Sequence, residues 1–273
     1  MERLRITAKD NQFVKDAAGL LESAKRRREQ GCFLTEGVRL CMDGLRSGFV
    51  PKTLFYTEQA LLKYPDAVKQ LEQKAEKAAL ITDEIAVKLS DTRTPQGIFC
   101  VFPMLDKILD LVHIYTRGRF IALENLQDPS NLGTVLRTAE ALGLSGCILA
   151  GHCCDPFSPK VTRGSMGAVF RIPLYRVKSG AGLAHELARK EMRVYAAVPD
   201  DKACPITRCG FGPGSVLLIG NEANGLTEET VRACSCAVTI PMLGRAESLN
   251  AATAAAISMW EMVRGQDSIK KGR

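Results

Sequence analysis

Short apolar runs alternate along the chain with longer segments that have the hydrophobic period of a helix, and this pattern predicts an α/β protein. In the N-terminal part, strands are predicted at 33–34, 52–56, 79–82 and 98–102. Helices are predicted between them, at 11–30, 38–47, 60–78 and 83–89. About a hundred residues is a common domain size, so this part is expected to fold as a small α/β domain.

A second alternation begins near Gly118. Its strands are predicted at 120–123, 147–150, 171–175, 193–197, 216–219 and 237–240. Helices are predicted at 133–142, 160–166, 180–190 and 228–233. A last, alanine-rich helix is predicted to open at Ser248, as its N-cap, and to end before Gly265. Strands separated by helices indicate a parallel sheet with helices on both faces.

These patterns divide the chain into four parts. Residues 1–105 are predicted to form the first α/β domain, and residues 106–117 a linker. Residues 118–265 are predicted to form the second, parallel-sheet domain. Residues 266–273 form a short basic tail, which its terminal position is expected to leave loose.

Three polar segments of the second domain each follow an apolar strand. They lie at 124–131, 220–226 and 241–250, and the first runs into a helix that carries Arg137. Because the carboxyl ends of parallel strands meet at one edge of a sheet, these segments are expected to build one composite site. A guanidinium on a rigid helix is suited to phosphate. Each segment alone is equally explained by a turn, a helix cap or a surface ion pair.

Composition excludes several classes of protein. The chain of 273 residues is 46% hydrophobic and 25% charged, as a globular protein should be, and it has no apolar run long enough to span a membrane. The net charge of +7 favours an anionic partner. The N-terminus does not have the pattern of a signal peptide, and there is no GxxxxGK[ST] segment, which argues against a P-loop NTPase.

The ten cysteines and three histidines have no metal-ligand spacing. We therefore expect no metal, and we interpret the cysteines as reduced thiols of a cytoplasmic protein. The glycine-rich segment CGFGPG precedes a strand instead of opening a helix after one, so it is not a dinucleotide fingerprint.

Three segments of the second domain resemble, in order, the motifs of the SpoU family of RNA ribose 2′-O-methyltransferases, in the SPOUT (TrmH) superfamily. They read NLQDPSNLGTVLRTAEALG, IGNEANGL and IPMLGRAESLNAATAAAISMWE, and KVTRGSMGA between the first two is also similar to the family. The resemblance covers about residues 120–264. In the first domain, FLTEGVRLCMDGL and DTRTPQGIFCVF resemble the RNA substrate-binding domain of the family's ribosomal RNA enzymes.

The resemblance implies a parallel sheet with a C-terminal trefoil knot, S-adenosylmethionine as the cofactor, and a homodimer. Cofactor-binding positions would be Gly220, Ile240, Met242, Gly244 and Leu249. Catalytic or substrate-positioning roles would fall on Asn131, Arg137, Glu222, Ser248 and Asn250. The basic residues of the first domain that are expected to contact RNA are Lys25, Arg26, Arg27, Arg28 and Arg39.

The expected reaction is methyl transfer from S-adenosylmethionine to a ribose 2′-hydroxyl of RNA. The extra N-terminal domain favours ribosomal RNA, of the large subunit, over transfer RNA. A transfer RNA enzyme and a non-catalytic RNA-binding module of the same fold remain the alternatives. A dehydrogenase-like dinucleotide enzyme is disfavoured because the glycine fingerprint is missing.

Overall fold

The computed structural model describes residues 4–108 and 114–264, and the chain divides into two compact units. One unit contains the described residues up to Leu105 together with Asp155–Arg171. The other contains the described residues of Asp106–Cys154 and those from Ile172 to 264. The predicted tail at 266–273 lies outside the described residues, as does most of the central part of the predicted linker.

The first unit is built on a five-stranded mixed sheet. Its strand order is β1-β4-β3-β5-β2, in which β1, β4 and β3 pair in parallel and β5 pairs antiparallel to both β3 and β2. The elements are β1 (Leu4–Ile6), α1 (Gln12–Glu22), α2 (Ala24–Gln30), β2 (Cys32–Glu36), α3 (Val38–Arg46), β3 (Thr53–Tyr56), α4 (Glu58–Lys63), α5 (Pro65–Lys74), β4 (Lys77–Ile81), α6 (Asp83–Lys88) and β5 (Ile98–Pro103).

Two segments that were each predicted as one helix are in fact pairs of helices. The first breaks at Ser23, whose extended backbone and side-chain oxygen cap α2 by accepting a hydrogen bond from the Arg26 amide at 3.2 Å. The second breaks at Tyr64, because Pro65 favours the first position of a new helix. Strand β1 was not predicted; it is a short edge strand whose Leu4 is exposed.

The second unit contains an eight-stranded sheet in which every pair is parallel, as the alternation of strands and helices predicted. Its strand order is β11-β13-β10-β12-β7-β8-β9-β6. The elements after β5, in chain order, are β6 (Lys107–Ile108), β7 (Arg119–Glu124), α7 (Pro129–Ala141), β8 (Gly146–Ala150), α8 (Pro159–Gly164), β9 (Leu174–Val177), α9 (Gly180–Ala188), β10 (Arg193–Ala197), β11 (Cys204–Pro205), β12 (Ser215–Ile219), α10 (Glu228–Ala233), β13 (Cys236–Thr239) and α11 (Ala251–Val263).

The segment Asp155–Arg171, which the sequence placed in the second domain, packs within the first unit. Phe157 and Phe170 are buried there, with ring centroids 4.8 Å and 5.7 Å from that of Phe33. Arg27 forms a buried ion pair with Asp155 at 2.6 Å. Burial of aromatic side chains is a large contribution to a core, so the first unit depends on this later piece of chain.

Strand order brings the site segments together. β7 and β12 are neighbours in register, so the loops at their carboxyl ends emerge side by side. Helix α11 follows the more distant strand β13 but packs on α7 and on β12. Ligands of open parallel sheets bind at this edge.

Candidate active site

A chain of hydrogen bonds joins the three polar segments at the carboxyl edge of the second sheet. The Asn131 side-chain amide donates to Glu222 Oε1 at 3.0 Å, and Asn131 Oδ1 accepts from the Asn250 amide at 3.0 Å. Asn131 is buried, with 6% of its surface exposed. Glu222, Asn131 and Asn250 are far apart in sequence and were predicted to share a site. Their side chains form one chain of hydrogen bonds, which we call the relay.

Glu222 is a hydrogen-bond acceptor for the loop that follows β7. Its two carboxylate oxygens accept from the backbone amides of Asp128 at 3.0 Å and Gln127 at 3.2 Å, in addition to Asn131. Partial burial acts to raise the pKa of this carboxyl, but the hydrogen bonds from Asn131 and the backbone amides outweigh it and hold the pKa below the ordinary value. Glu222 is therefore an ionised group at neutral pH that fixes the loop.

The N-cap of helix α11 is Asn250, whereas the sequence analysis predicted Ser248. Asn250 Oδ1 accepts from the amides of Ala252 at 2.9 Å and Thr253 at 3.2 Å, which is an N-cap. Ser248 lies before the helix and is exposed. Both residue types are good N-caps, so the sequence alone could not choose between them.

A cleft of about 330 Å³ lies between the loops after β12 and β13 and the start of α11. Of the residues predicted to hold a cofactor, four line it and Gly244 does not. Those four are Gly220, Ile240, Met242 and Leu249. Two residues predicted to be catalytic, Glu222 and Ser248, also line it. The cleft is otherwise mostly apolar, which suits a planar ring or a thioether chain.

Gly220 is required by the packing of the chain itself. A Cβ atom at this position would stand 2.1 Å from the carbonyl carbon of Gly225 and 2.2 Å from the amide nitrogen of Leu226. These are backbone atoms, so they cannot swing away as a side chain would. The loop 221–226 closes directly over Gly220, with mutual backbone hydrogen bonds between Asn221 and Gly225.

Arg137 lies on the exposed face of α7, two turns beyond Asn131. Within the described residues, its guanidinium has no hydrogen bond or ion pair. The alternative explanation, a surface ion pair, is thus not what the structure contains. An unpaired guanidinium on a rigid helix is free to bind an anion.

The predicted RNA-binding residues of the first unit differ in exposure. Lys25, Arg26, Arg28 and Arg39 are exposed. For Arg27 the structure corrects the prediction, because this residue is only 3% exposed. Its side chain pairs with Asp155 and donates to the carbonyl oxygens of Leu20 and Leu21. It faces inward because residues of a helix point in different directions, so Arg27 is a structural residue that cannot contact a phosphate.

Glu124, which the sequence analysis did not single out, is a buried hydrogen-bond acceptor for residues that directly follow the polar segment 220–226. It is 3% exposed and accepts from the Thr227 amide at 2.9 Å, the Thr230 hydroxyl at 2.6 Å and the Gly180 amide at 3.2 Å. These bonds join β7 to the starts of α9 and α10. A carboxylate at the end of an apolar strand was the signal that could have identified it, because such a charge must find donors when buried.

Four of the cysteines are buried and six are partly exposed. All ten are free thiols, and burial raises the pKa of Cys234 to about 12, with the charge of Glu124 adding to the shift. Thiols with raised pKa values remain protonated and unreactive at neutral pH. Among the described residues, no group of histidine, cysteine or acidic side chains is arranged to hold a metal ion, and no helix is long and apolar enough to cross a membrane.

Comparison with known proteins agrees with this geometry. Residues 118–260 match the SpoU rRNA Methylase family, and residues 11–100 match the MRM3-like substrate binding domain. A 23S rRNA (uridine(2479)-2′-O)-methyltransferase of Streptomyces viridochromogenes is 31% identical over 95% of this chain and 92% of its own length. The 23S rRNA (guanosine(2553)-2′-O)-methyltransferase RlmP of Bacillus subtilis is 29% identical over 94% of this chain and 98% of its own length.

Solved structures are similar over the whole chain. The AdoMet-bound rRNA methyltransferase from Sinorhizobium meliloti superposes with a TM-score of 0.84 at 30% identity, covering 97% of this chain and 98% of that one. The family match spans more than half of the chain, and it includes all three segments that the relay joins. The chain therefore belongs to the SpoU rRNA methylase family.

Proposed function

We propose that this protein transfers a methyl group from S-adenosylmethionine to a ribose 2′-hydroxyl of large-subunit ribosomal RNA. The observation that carries the proposal is the Glu222–Asn131–Asn250 relay, which ties the three family segments into one edge beside a cleft. Ribosomal RNA is favoured over transfer RNA by the N-terminal substrate-binding domain and by the 23S rRNA substrates named for the relatives from Streptomyces and Bacillus.

The residues of the cleft fit S-adenosylmethionine. Ile240, Met242 and Leu249 give apolar contact for an adenine ring. Ser258 also lines the cleft, and its buried hydroxyl oxygen has no hydrogen-bond partner among the described residues, so it is available to a polar atom of a ligand. When bound, the cofactor supplies a methyl group already activated by a sulfonium.

The chain's own residues would position the ribose. Arg137, with its unpaired guanidinium, holds the phosphate next to the target ribose and so aligns the 2′-hydroxyl. A guanidinium has only N–H donors and no acceptor, so Arg137 is not suited to take the hydroxyl proton. Glu222 is also poorly suited as a base, because four hydrogen bonds stabilise its charged form. Asn131, Ser248 and Asn250 are proposed to orient the ribose and the cofactor.

Exposed basic residues of the first unit are proposed to bind the RNA backbone. Lys25, Arg26 and Arg28 share helix α2, and Arg39 lies in the first turn of α3. Contacts of this kind release counterions, so RNA affinity is expected to fall steeply with salt. The net charge of +7 supports a partner of this kind.

A homodimer and a knotted C-terminal segment are further parts of the proposal. Helix α11 exposes Ile257 and Trp260, 37% and 56% accessible, on the side away from the sheet. Large exposed apolar side chains on one helix face support an interface. Light scattering should give the mass of two chains for the wild type and of one chain for Trp260→Glu. A wild-type monomer at the same concentration would contradict the dimer.

We also propose that the reaction takes place in the cytoplasm. A compartment that holds ribosomes and keeps thiols reduced agrees with the ribosomal RNA substrate and with ten free cysteines.

Two measurements test the proposed reaction. Calorimetric titration should show S-adenosylmethionine binding to the purified protein. Mapping of 2′-O-methyl groups in cellular RNA, with and without the gene, should then show one ribosomal RNA position that loses its methyl group. Absence of cofactor binding would favour a non-catalytic RNA-binding module. A lost methyl group in transfer RNA would favour the transfer RNA alternative.

A further inference from the structure

A second cleft, of about 390 Å³, shares a wall with the cofactor cleft. The shared wall is the loop after β12, with Asn221 and Asn224 lining both clefts. The remaining polar lining comes from Asn125, Gln127 and His152 in the loops after β7 and β8, and from Thr227, the N-cap of α10. A volume of this size is within the range of about 300–1,000 Å³ that is typical of small-ligand sites.

The corner between the β7 and β8 loops is tightly built. Asn125 has a left-handed backbone, φ 55°, and its Oδ1 accepts from the His152 amide at 2.8 Å. Gly151 has a φ of 68°, and a Cβ there would stand 2.4 Å from Asn125 Oδ1. Gln127 Nε2 donates to the carbonyl oxygens of Asn125 and His152. Such strained and cross-linked backbone is typical of functional sites.

Several polar groups of the cleft are unused. The His152 imidazole, the Asn224 carboxamide, Asn125 Nδ2 and Gln127 Oε1 have no hydrogen-bond partner in residues 4–108 and 114–264. None of the lining residues is a lysine, an arginine or an acid. The lining therefore offers uncharged donors and acceptors to a ligand.

This chemistry matches a nucleobase. A phosphate would need cations, and an aliphatic group would leave the amides unsatisfied. The edge of an unstacked base presents uncharged donors and acceptors in one plane, and proteins read such bases with amide side chains and with histidine. Enzymes that modify a nucleotide also commonly take it out of its stack into a pocket.

We propose that this polar cleft binds the base of the RNA nucleotide whose ribose is methylated, with His152 and Asn224 contacting the base. The inference rests on the proposed methyl transfer and adds a specificity site to it. The shared wall would keep the base next to the cofactor cleft, so that its ribose reaches the methyl group.

Single-turnover methyl transfer to RNA tests the proposal with His152→Ala and Asn224→Ala. The matched control is His185→Ala, on the exposed side of α9 and outside both clefts. We expect each cleft variant to lower kcat/KM for RNA by about tenfold or more, as expected for loss of a base contact. Because His152 lines only the second cleft, His152→Ala should keep the wild-type S-adenosylmethionine affinity. The Tm of both variants should stay at the wild-type value, and the control should behave as wild type.

Wild-type kcat/KM in both cleft variants would overturn the proposal. A parallel loss of S-adenosylmethionine affinity in His152→Ala would also overturn it, because the second cleft would then be part of the cofactor site. If His152→Ala proves unstable, the same kcat/KM comparison is made with His152→Gln and Asn224→Ala. If the wild type itself transfers no methyl group to RNA, the proposed function fails. In that case, RNA affinity of the variants, measured with S-adenosylhomocysteine bound, tests the base site separately. A lower RNA affinity than that of His185→Ala supports a base site, and an equal RNA affinity rejects it.

Discussion

The side-chain amide of Asn250 donates a hydrogen bond to Asn131 Oδ1 at 3.0 Å, although 119 positions separate the two residues. The other end of the same side chain caps helix α11 by accepting from the amides of Ala252 and Thr253. One residue thus fixes where the last helix starts and links that start, through Asn131, to Glu222. The relay makes the geometry of the loop before α11 depend on the loop after β12.

The two tasks of Asn250 can be separated by substitution. Asn250→Ser should keep the N-cap but lose the amide that reaches Asn131, whereas Asn250→Ala should lose both. We expect the alanine variant to lose about 0.5–2 kcal/mol of stability and the serine variant much less. Both should lower single-turnover methyl transfer by about tenfold. A serine variant with wild-type transfer would show that the relay serves only the fold.

Glu222 should give an acid-dependent contribution to stability. Its pKa is lowered in the folded state, so its contribution is present above the unfolded value of about 4.3 and is lost as the pH falls through the lower folded value. In Glu222→Gln, one oxygen becomes an NH2 group, and a backbone amide of the β7 loop loses its acceptor. The variant should melt below wild type at about pH 7.

The measurement is the Tm of wild type and of Glu222→Gln at a series of pH values between about pH 3 and about pH 7. The difference in Tm between wild type and Glu222→Gln should shrink toward the acid end, because the wild-type carboxylate is then protonated. A difference that is constant with pH would show that ionisation of Glu222 does not contribute. Because the side chain is largely exposed, the effect should be small.

Gly220 and Gly244 were both predicted to approach the cofactor, but the structure separates them. Gly220→Ala should shift the loop 221–226, because a Cβ would collide with backbone atoms at 2.1–2.4 Å. We expect a lower Tm and loss of S-adenosylmethionine binding. Gly244→Ala is the matched control: nothing lies within 4 Å of its Cβ position, and it does not line the cleft. Equal cofactor affinity in the two variants would contradict this assignment.

Periodicity predicted six of the eight strands of the second sheet, because these six are short, mostly apolar runs. It missed β6 and β11, which have only two residues each. It could not predict which strands become neighbours, and hence that β7 and β12 emerge side by side. Nor could it show that Asp155–Arg171 packs in the first unit, since the buried ring of Phe157 looks the same in sequence whichever core it joins.

Site prediction was limited by the direction and partners of side chains. The run Lys25–Arg28 reads as one basic patch, but a helix turns each side chain by about 100°, and Arg27 points into the unit. Glu124 was missed for the same kind of reason, since its donors come from residues more than fifty positions away. The family resemblance grouped Arg137, Asn131, Glu222, Ser248 and Asn250, and among these the structure joins Asn131, Glu222 and Asn250 by hydrogen bonds.

Two neighbouring arginines should therefore behave differently. Arg27→Ala leaves the buried carboxylate of Asp155 without its partner and should cost about 3–5 kcal/mol of stability. Arg28→Ala, at an exposed position of the same helix, should leave Tm nearly unchanged and weaken RNA binding. Filter binding at two salt concentrations and thermal melting are the measurements.

Point substitutions are preferred here to removal of the first 105 residues. Such a deletion would expose Phe157 and Phe170, which pack on Phe33 and Phe102, and would confuse loss of binding with loss of structure. If Arg28→Ala binds RNA as tightly as wild type at low salt, helix α2 is not part of the RNA surface. If Arg27→Ala melts as wild type, the ion pair with Asp155 contributes nothing to stability.

Arg137 is the residue whose removal should affect the reaction and not the fold. It is exposed on α7 and has no ion pair within the described residues, so Arg137→Ala should change stability by no more than about 0.5 kcal/mol. If its guanidinium holds the phosphate beside the target ribose, methyl transfer should fall by about a hundredfold, the usual effect of removing one preorganised electrostatic group. Arg137→Lys should restore little, because an ammonium cannot form the planar, two-pronged contact.

Single-turnover transfer of labelled methyl to RNA measures this effect, with calorimetric cofactor affinity and Tm as controls. A matched variant is Arg189→Ala, at an exposed arginine just after α9. Within the described chain, its side chain forms only the i,i+3 ion pair with Glu186. It should transfer methyl as wild type does. Near-normal transfer by Arg137→Ala would remove Arg137 from the mechanism. A large fall in its Tm would instead mean that the arginine holds the structure together, since a guanidinium that acts only on RNA cannot destabilise the free protein when it is removed.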